Sequence, residues 1–339
     1  MRVRQVRLLA ATVTSLSVLK PLHLSGEHVG HVGRQRLKTA SARQAMKPAP
    51  YGPFPYSPIV RRPRLSWPDD AHVALWVIPH IEFFSLMEKV PAGSGGPGTP
   101  VPDIPSWSAR DYGNRVGVFR LMRVLARHGI RATVALNSDL CVHHPEIIEE
   151  GRKLGWEWMG HCESNTRRLN EAPPGEEKAI IRRALTTIAE ATGARPLGWL
   201  GSGLQETWDT LDLLAAEGCE YVCDWTNDEQ PYVMRLDGGR QLISVPYSHE
   251  INDKPVFERL HRTAEEFRDM ICRQFDVLYR EGAESGRVMA IALHPYLTGV
   301  PHRIDALDAA LAYIANHARV WKATGAEIAR HYRAQIAKQ

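Results

Sequence analysis

The sequence predicts an α/β protein, a single distorted (β/α) barrel of about seven strands. Three observations predict it. Short apolar, β-branched runs alternate with helical patterns along the chain, which implies parallel strands joined by βα units. Seven or eight such units in roughly 270 residues fit a nearly closed barrel better than an open sheet. His, Glu and Asp residues stand at the C-terminal ends of several of those strands, where such barrels carry their chemistry. No internal repeat, no GxGxxG after a strand and no P-loop is present, so nucleotide binding has no sequence support.

Residues 46–70 are too Pro-rich for regular structure and are expected to wrap a surface or a neighbouring subunit. His72–Ile78 reads as the first strand. The segment 85–110, with PAGSGGPGTPVPDIP inside it, reads as a long functional loop, a candidate lid over the site. Asp111 is expected to cap a helix over Tyr112–His128 that ends at Gly129. Thr133–Asn137 follows as a strand, and Pro145–Leu154 as a helix opened by Pro. Trp156–Met159 is a strand running into Gly160 and His161, and Gly175–Thr192 a helix closed by Gly193. Leu197–Leu200 is a strand, and Glu206–Glu217 a helix stopped by Gly218. Tyr221–Asp224 and Leu242–Val245 are strands, followed by a helix over Ala264–Glu281. Arg287–Leu293 is an apolar strand ending at His294. Arg303–His317 is a helix, Val320–Trp321 a short strand, and Gly325–Arg333 a closing helix.

The bulk composition is that of a globular protein: 339 residues, 44% hydrophobic, 24% charged, net charge +4. Arg61–Arg62, Arg167–Arg168 and Arg182–Arg183 are scattered beside acidic runs, which excludes a nucleic-acid stripe. Five cysteines with no CxxC pair point to reduced thiols and a cytoplasmic setting. Cys219 and Cys223, four apart on an expected strand, are read as buried hydrophobes sharing a face. The first 45 residues have a basic start and a mildly apolar stretch that Thr and Ser interrupt and Lys20 and Pro21 end. That stretch is too short and polar to span a bilayer. Residues 22–45 lack a hydrophobic period. The expected division is therefore 1–45 a disordered extension or a mis-assigned start with Met46 as the biological one, 46–70 a Pro-rich arm, and 71–335 the barrel.

Four strands deliver reactive groups to one rim. The first ends at His80-Ile81-Glu82, the third at His161-Cys162-Glu163, the strand through Tyr221 at Asp224, and the strand through Ala290 at His294. A carboxylate there can activate water. An imidazole can protonate a leaving group or stabilise an oxyanion, and both are zinc ligands. Glu163 reads equally as a carboxylate in a helix first turn. His161 and Cys162 are not a thiol dyad, since neighbours on a strand end point in opposite directions.

The order Glu82, GHCESN, RPLGWLGSG, DWTNDEQPY, LHPYLTG resembles the polysaccharide deacetylase superfamily, from about Pro58 to the C-terminus. It is most similar to the branch of metal-independent allantoinases and cyclic imide hydrolases. The resemblance implies Glu82 in the catalytic base slot, where the neighbouring metal-ligand slot holds Phe83. His161 is kept from the paired-histidine motif, with Asn165 in place of the second histidine. Arg195 matches the motif arginine that orients a carboxylate, with Trp199 nearby, and His294 matches the last histidine. A phenyl ring cannot bind zinc and an amide oxygen is a poor ligand for it. Either the metal is gone, or Glu82, His161 and a neighbour hold it. Asp224, Asn227 and Asp228, with Trp199 and Asn165, are the implied substrate contacts, although Asn227 and Asp228 also read as a turn.

The reading is a hydrolase that opens a carbon–nitrogen bond of a small cyclic amide, a cyclic imide or an allantoin-like ureide. Its alternatives are a metal-dependent N-deacetylase of an acetylated sugar and a non-catalytic ligand-binding barrel. A small-molecule substrate is the expected partner, with no nucleic acid and no membrane. The Pro-rich arm and the resemblance point to a homo-oligomer.

Overall fold

The computed structural model describes residues 50–91 and 99–338. The expectations for residues 1–45, for Met46 and for the middle of the lid segment lie outside the described residues. The strands are β1 (Val73–Ile81), β2 (Thr133–Leu136), β3 (Glu157–Gly160), β4 (Gly198–Trp199), β5 (Tyr221–Val222), β6 (Tyr232–Arg235), β7 (Gln241–Ser244), β8 (Arg287–Leu293) and β9 (Val320–Lys322). The helices are α1 (Ile104–Tyr112), α2 (Val118–Arg127), α3 (Ser138–His143), α4 (Pro145–Lys153), α5 (Glu177–Thr192), α6 (Thr210–Ala216), α7 (Ala264–Gly282), α8 (Pro301–Ala315) and α9 (Gly325–Ile336).

Eight strands follow the order β6-β7-β5-β4-β3-β2-β1-β8, and β9 pairs with β1 off that path. Every pairing is parallel except the β6–β7 hairpin. This is the expected (β/α) barrel, curled but incomplete. Between the β6 and β8 ends, an isolated parallel bridge from Asn252 to Ala292 lays the segment after β7 alongside β8.

Strand parity sorts the core. Ala74, Trp76 and Ile78 of β1 pack with Ala135, Met159, Tyr221, Ile243, Ala290 and Ala292, one residue or more from each of six strands, so this face is the interior of the curl. The alternate residues Val73, Leu75 and Val77 pack outward with Leu121, Leu125, Phe275 and Leu307 of the helices. Burial on both faces explains the unbroken apolar run of β1. Trp76 is fully buried, so Trp76→Ala carries a cavity cost of about 3–5 kcal/mol.

Several elements differ from expectation, each for a physical reason. The expected 85–110 loop is shorter, because Asp103 accepts the Ser106 N–H at 3.2 Å and starts α1, with Pro105 in its first turn. Asp111 therefore lies inside a helix. That helix runs through a π-turn at Gly113–Gly117 into α2. A Cβ on Gly117 would stand 2.1 Å from the Pro295 carbonyl oxygen, so only glycine lets the helix press against the loop that follows His294. Helix α3 and strand β6 were not anticipated. Cys219 and Cys223 are both buried but do not share a face. Gly218 turns at φ +89°, Cys219 packs with Trp199 and Leu211, and Cys223 enters the interior. The described part of the arm lies against its own chain: the Arg235 N–H donates to the Pro53 carbonyl at 2.8 Å, and Trp67 Nε1 to the Arg287 carbonyl at 2.9 Å. Among the described residues no helix is long and apolar enough to cross a membrane.

Candidate active site

Parity also selects the site. His80 and Glu82 continue the inward face of Ala74, Trp76 and Ile78, whereas Phe83 falls on the outward face. His161 follows inward Met159, and His294 follows inward Ala290 and Ala292. The strands thus bring Glu82, His161 and His294 together, all buried. His161 Nε2 lies 3.7 Å and His294 Nε2 3.6 Å from Glu82 Oε1. The Asn165 side-chain amide donates to the same oxygen. Among the described residues none bonds Glu82 Oε2, and Glu82 lines a cavity of about 260 Å³.

Charge is fixed by this packing. Burial alone would raise the Glu82 carboxyl, but the His294 charge and the donors of His161 and His294 hold it well below the usual carboxylate range. Burial alone would keep His294 neutral, but the carboxylates of Asp253 and Glu82 outweigh it and push its pKa up to about 9. Asp253 is fully buried and accepts from the His294 N–H (2.7 Å), His294 Nδ1 (2.6 Å) and the Thr298 hydroxyl (2.6 Å). Glu82 and His294 therefore face each other as carboxylate and imidazolium at neutral pH.

His80 has the opposite character. Burial, helped by the charges of His294 and His161, holds it well below the usual imidazole range, so it is neutral. Its ring stacks on His294 at 4.4 Å. Its tautomer follows from its neighbours. The Lys254 N–H donates to Asn252 Oδ1 at 2.9 Å, which leaves Asn252 Nδ2 to donate to the Tyr247 hydroxyl at 3.0 Å. The Tyr247 hydrogen then goes to His80 Nε2 at 2.8 Å, and His80 carries its own hydrogen on Nδ1. Among the described residues that N–H has no acceptor, and His80 lines the cavity. His161 donates Nδ1–H to the Leu200 carbonyl at 2.5 Å, which turns its Nε2 toward Glu82.

The superfamily's metal can be tested against these residues. Phe83 carries no donor and stacks on His143 at 4.6 Å. Asn165 turns its amide hydrogens to Glu82 and its oxygen to Ser202 and Asn137. Donors of His80, Glu82 and His161 do converge within 4.8 Å. Glu82 Oε1 already faces the His294 imidazolium and the Asn165 N–H, which leaves Oε2 as the oxygen open to a cation. The misfit with the superfamily's usual metal set lies at Phe83 and Asn165, which turn no metal-ligating atom toward the site.

Other expected residues lie elsewhere. Arg195 is exposed at the opposite end of β4 and binds the Glu217 carbonyl, because it precedes its strand rather than ending it. Trp199 is wholly buried on the outward face beside Leu185, against Gly160. Asp224 shares the outward parity of Val222. It accepts the Gly201 N–H at 2.7 Å, and burial raises its pKa to about 6 beside Glu206. Asn227 is exposed and accepts from Tyr232. Asp228 pairs with Arg62 at 2.6 Å and caps the N–H groups of Glu229 and Gln230, the turn alternative. Glu163 pairs with Arg183 at 2.7 Å. Burial pushes the Cys162 thiol up to about 11, far from a nucleophile. The residues missed were Asp253, Tyr247 and Asn252, and His80 was noted at its strand end but given no role. Parity from Trp76 and Ile78 was the signal that pointed to His80.

No protein-family profile matches the chain. It is 26% identical over 259 residues to a Schizosaccharomyces pombe protein named for the polysaccharide deacetylases, covering 70% of this chain and 79% of that protein. The solved structure of Puue allantoinase superposes with a TM-score of 0.74 at 27% identity, covering 80% of this chain and 94% of its own. A probable polysaccharide deacetylase from Pseudomonas aeruginosa PAO1 gives 0.72 at 28% identity, over 81% and 95%. In sequence and in its (β/α) barrel the chain is therefore similar to the polysaccharide deacetylase superfamily, its allantoinase-like branch included.

Proposed function

We propose that this protein hydrolyses a carbon–nitrogen bond of a small cyclic amide, a cyclic imide or an allantoin-like ureide. The relatives named allantoinase and polysaccharide deacetylase support hydrolysis of a carbon–nitrogen bond, and the allantoinase supports the cyclic substrate. The observation that carries the reading is the Glu82 carboxylate facing the His294 imidazolium at 3.6 Å, on a cavity of about 260 Å³. That volume suits a small ring, below the usual range for drug-sized ligands.

The protons balance over the cycle. Glu82 Oε2 takes a proton from the attacking water, while His161 Nε2, 3.7 Å from Oε1, backs the carboxylate from its other side. The hydroxide adds to the ring carbonyl carbon, and His80 Nδ1–H meets the developing oxyanion. As the tetrahedral intermediate collapses, the C–N bond breaks and His294 Nε2 gives its proton to the leaving nitrogen. Glu82 Oε2 then releases its proton to solvent and His294 Nε2 takes one up, and both groups are reset. The product is one open-chain molecule that carries a carboxylic acid and the freed amide or urea nitrogen.

A second reading, N-deacetylation of an acetylated amino sugar, is favoured by one observation. A groove of about 900 Å³, lined in part by Phe83, Trp107 and His143, shares Phe84 and Arg168 with the catalytic cavity and is larger than a small ring needs. The test for both is a panel of succinimide, hydantoin, allantoin and chitooligosaccharide, each with and without a chelator. The expected outcome is opening of at least one ring at a rate the chelator leaves unchanged. Acetate release from the oligosaccharide, lost on chelation and restored by zinc, would replace this reading with the second.

A further inference from the structure

The cavity that holds Glu82 is lined by more positive than negative charge. Glu82 is the carboxylate among its lining residues, against Arg168, Lys254, Arg259 and the His294 imidazolium. Two of these cations are already matched. Lys254 lies 2.8 Å from Glu258, and His294 is held by Asp253. Arg168 and Arg259 are not: among the described residues neither guanidinium has a hydrogen bond or an ion pair. Glu171, close in sequence, accepts the Arg168 backbone N–H rather than its side chain.

Arginines nearby behave differently. In the adjoining groove Arg183 pairs with Glu163 at 2.7 Å, Arg167 pairs with Glu88, and Arg115 approaches Asp111 at 3.8 Å. The chain supplies carboxylates to the arginines around this rim and withholds them from the two that reach the catalytic cavity. Gly203 leaves room for one of them: a Cβ there would stand 3.3 Å from Arg168 Nε. A guanidinium with five donors and no acceptor matches a planar carboxylate in a bidentate fork.

We propose that the substrate carries a carboxylate beside its scissile ring amide, and that Arg168 and Arg259 receive it at the cavity mouth. This deepens the cyclic-amide reading and rests on it for the identity of the ring. Arg168 and Arg259 are then the specificity-determining residues of the site. They select acidic rings over neutral ones of the same shape.

The test compares kcat/KM for hydantoin-5-acetate and hydantoin, one ring with and without a carboxylate, in the full chain and in Arg168→Ala, Arg259→Ala and the double variant. The acidic ring is expected to be preferred about tenfold or more, with that preference falling about tenfold in each single variant through KM. Arg168→Lys, which keeps the charge but not the fork, is expected to retain part of it. Both side chains reach solvent, so the variants keep the fold, which circular dichroism checks. A binding arm needs no turnover: calorimetry with succinate and with uncharged succinamide. Succinate is expected to bind the wild type and to weaken about tenfold in the double variant. Equal binding of the two compounds, or a preference unchanged by the double variant, overturns the proposal. If no ring is opened while succinate is still selected through the two arginines, the cyclic-amide reading falls and the anion site stands.

Discussion

Glu82→Gln lowers kcat on the opened ring by about 10³-fold while the protein stays folded. The substitution removes the proton acceptor at Oε2 and keeps the shape of the side chain. The amide oxygen of glutamine still accepts from Asn165, so the local packing survives. The effect is large because no second carboxylate lines the cavity to take over. It belongs in kcat rather than KM, since the proton transfer occurs in the transition state. Turnover on the ring that the panel identifies, with a far-ultraviolet spectrum, checks both halves. Near-normal turnover would remove Glu82 from the mechanism.

Asp253→Ala is the second large effect, and it reaches stability as well as rate. The carboxylate has no solvent exposure and satisfies three donors at 2.6–2.7 Å. Its loss removes what holds the charge on the buried ring, at a cost of about 3–5 kcal/mol where the wild-type imidazole is protonated. The sign with pH follows from the direction of the His294 shift. Its folded pKa of about 9 lies above its ordinary value of 6.5, so the stabilisation is complete below 6.5 and is lost as pH rises through about 9. In the variant, burial dominates and His294 is neutral at neutral pH. The stability loss is then largest on the acid side and shrinks toward about pH 9. The alkaline fall in rate, placed near 9 by the loss of the leaving-group proton, moves down with it. Urea melts and pH–rate profiles of both proteins measure this. An alkaline limb that stays near 9 in the variant would detach Asp253 from His294.

The strand-end rule made Glu82, His161 and His294 legible, because strongly apolar β1 and β8 and the turn after β3 mark where each strand stops. The same rule over-reached at Trp199 and Asp224. It says which end of a strand faces the rim but not which side, and both residues have the outward parity that Leu185 and Glu206 cover. Asp253 and Tyr247 were not legible. They follow β7 on a segment with no strand pattern, which reaches the site through the Asn252–Ala292 bridge, a long-range contact with no local signature. Helix α1 was hidden because Gly and Pro dominate the residues before it, and its cap, Asp103, sits between prolines. The metal question was legible only as a substitution. Its physical content, an amide and an imidazolium aimed at the same carboxylate oxygen, is geometric.

The inward and outward alternation of these strands also bears on how the site can change through descent. Deleting one residue within β1 would carry Phe83 to the interior and turn Glu82 outward. In β8 it would present Pro295 where His294 stands, and in β3 Cys162 where His161 stands. A substitution at the rim alters one group, whereas a single-codon insertion or deletion in any of these strands exchanges the whole inward set for its neighbours. Length variation among descendants of this chain is therefore confined to the connections beyond the strand ends, and new chemistry enters the rim by replacement alone.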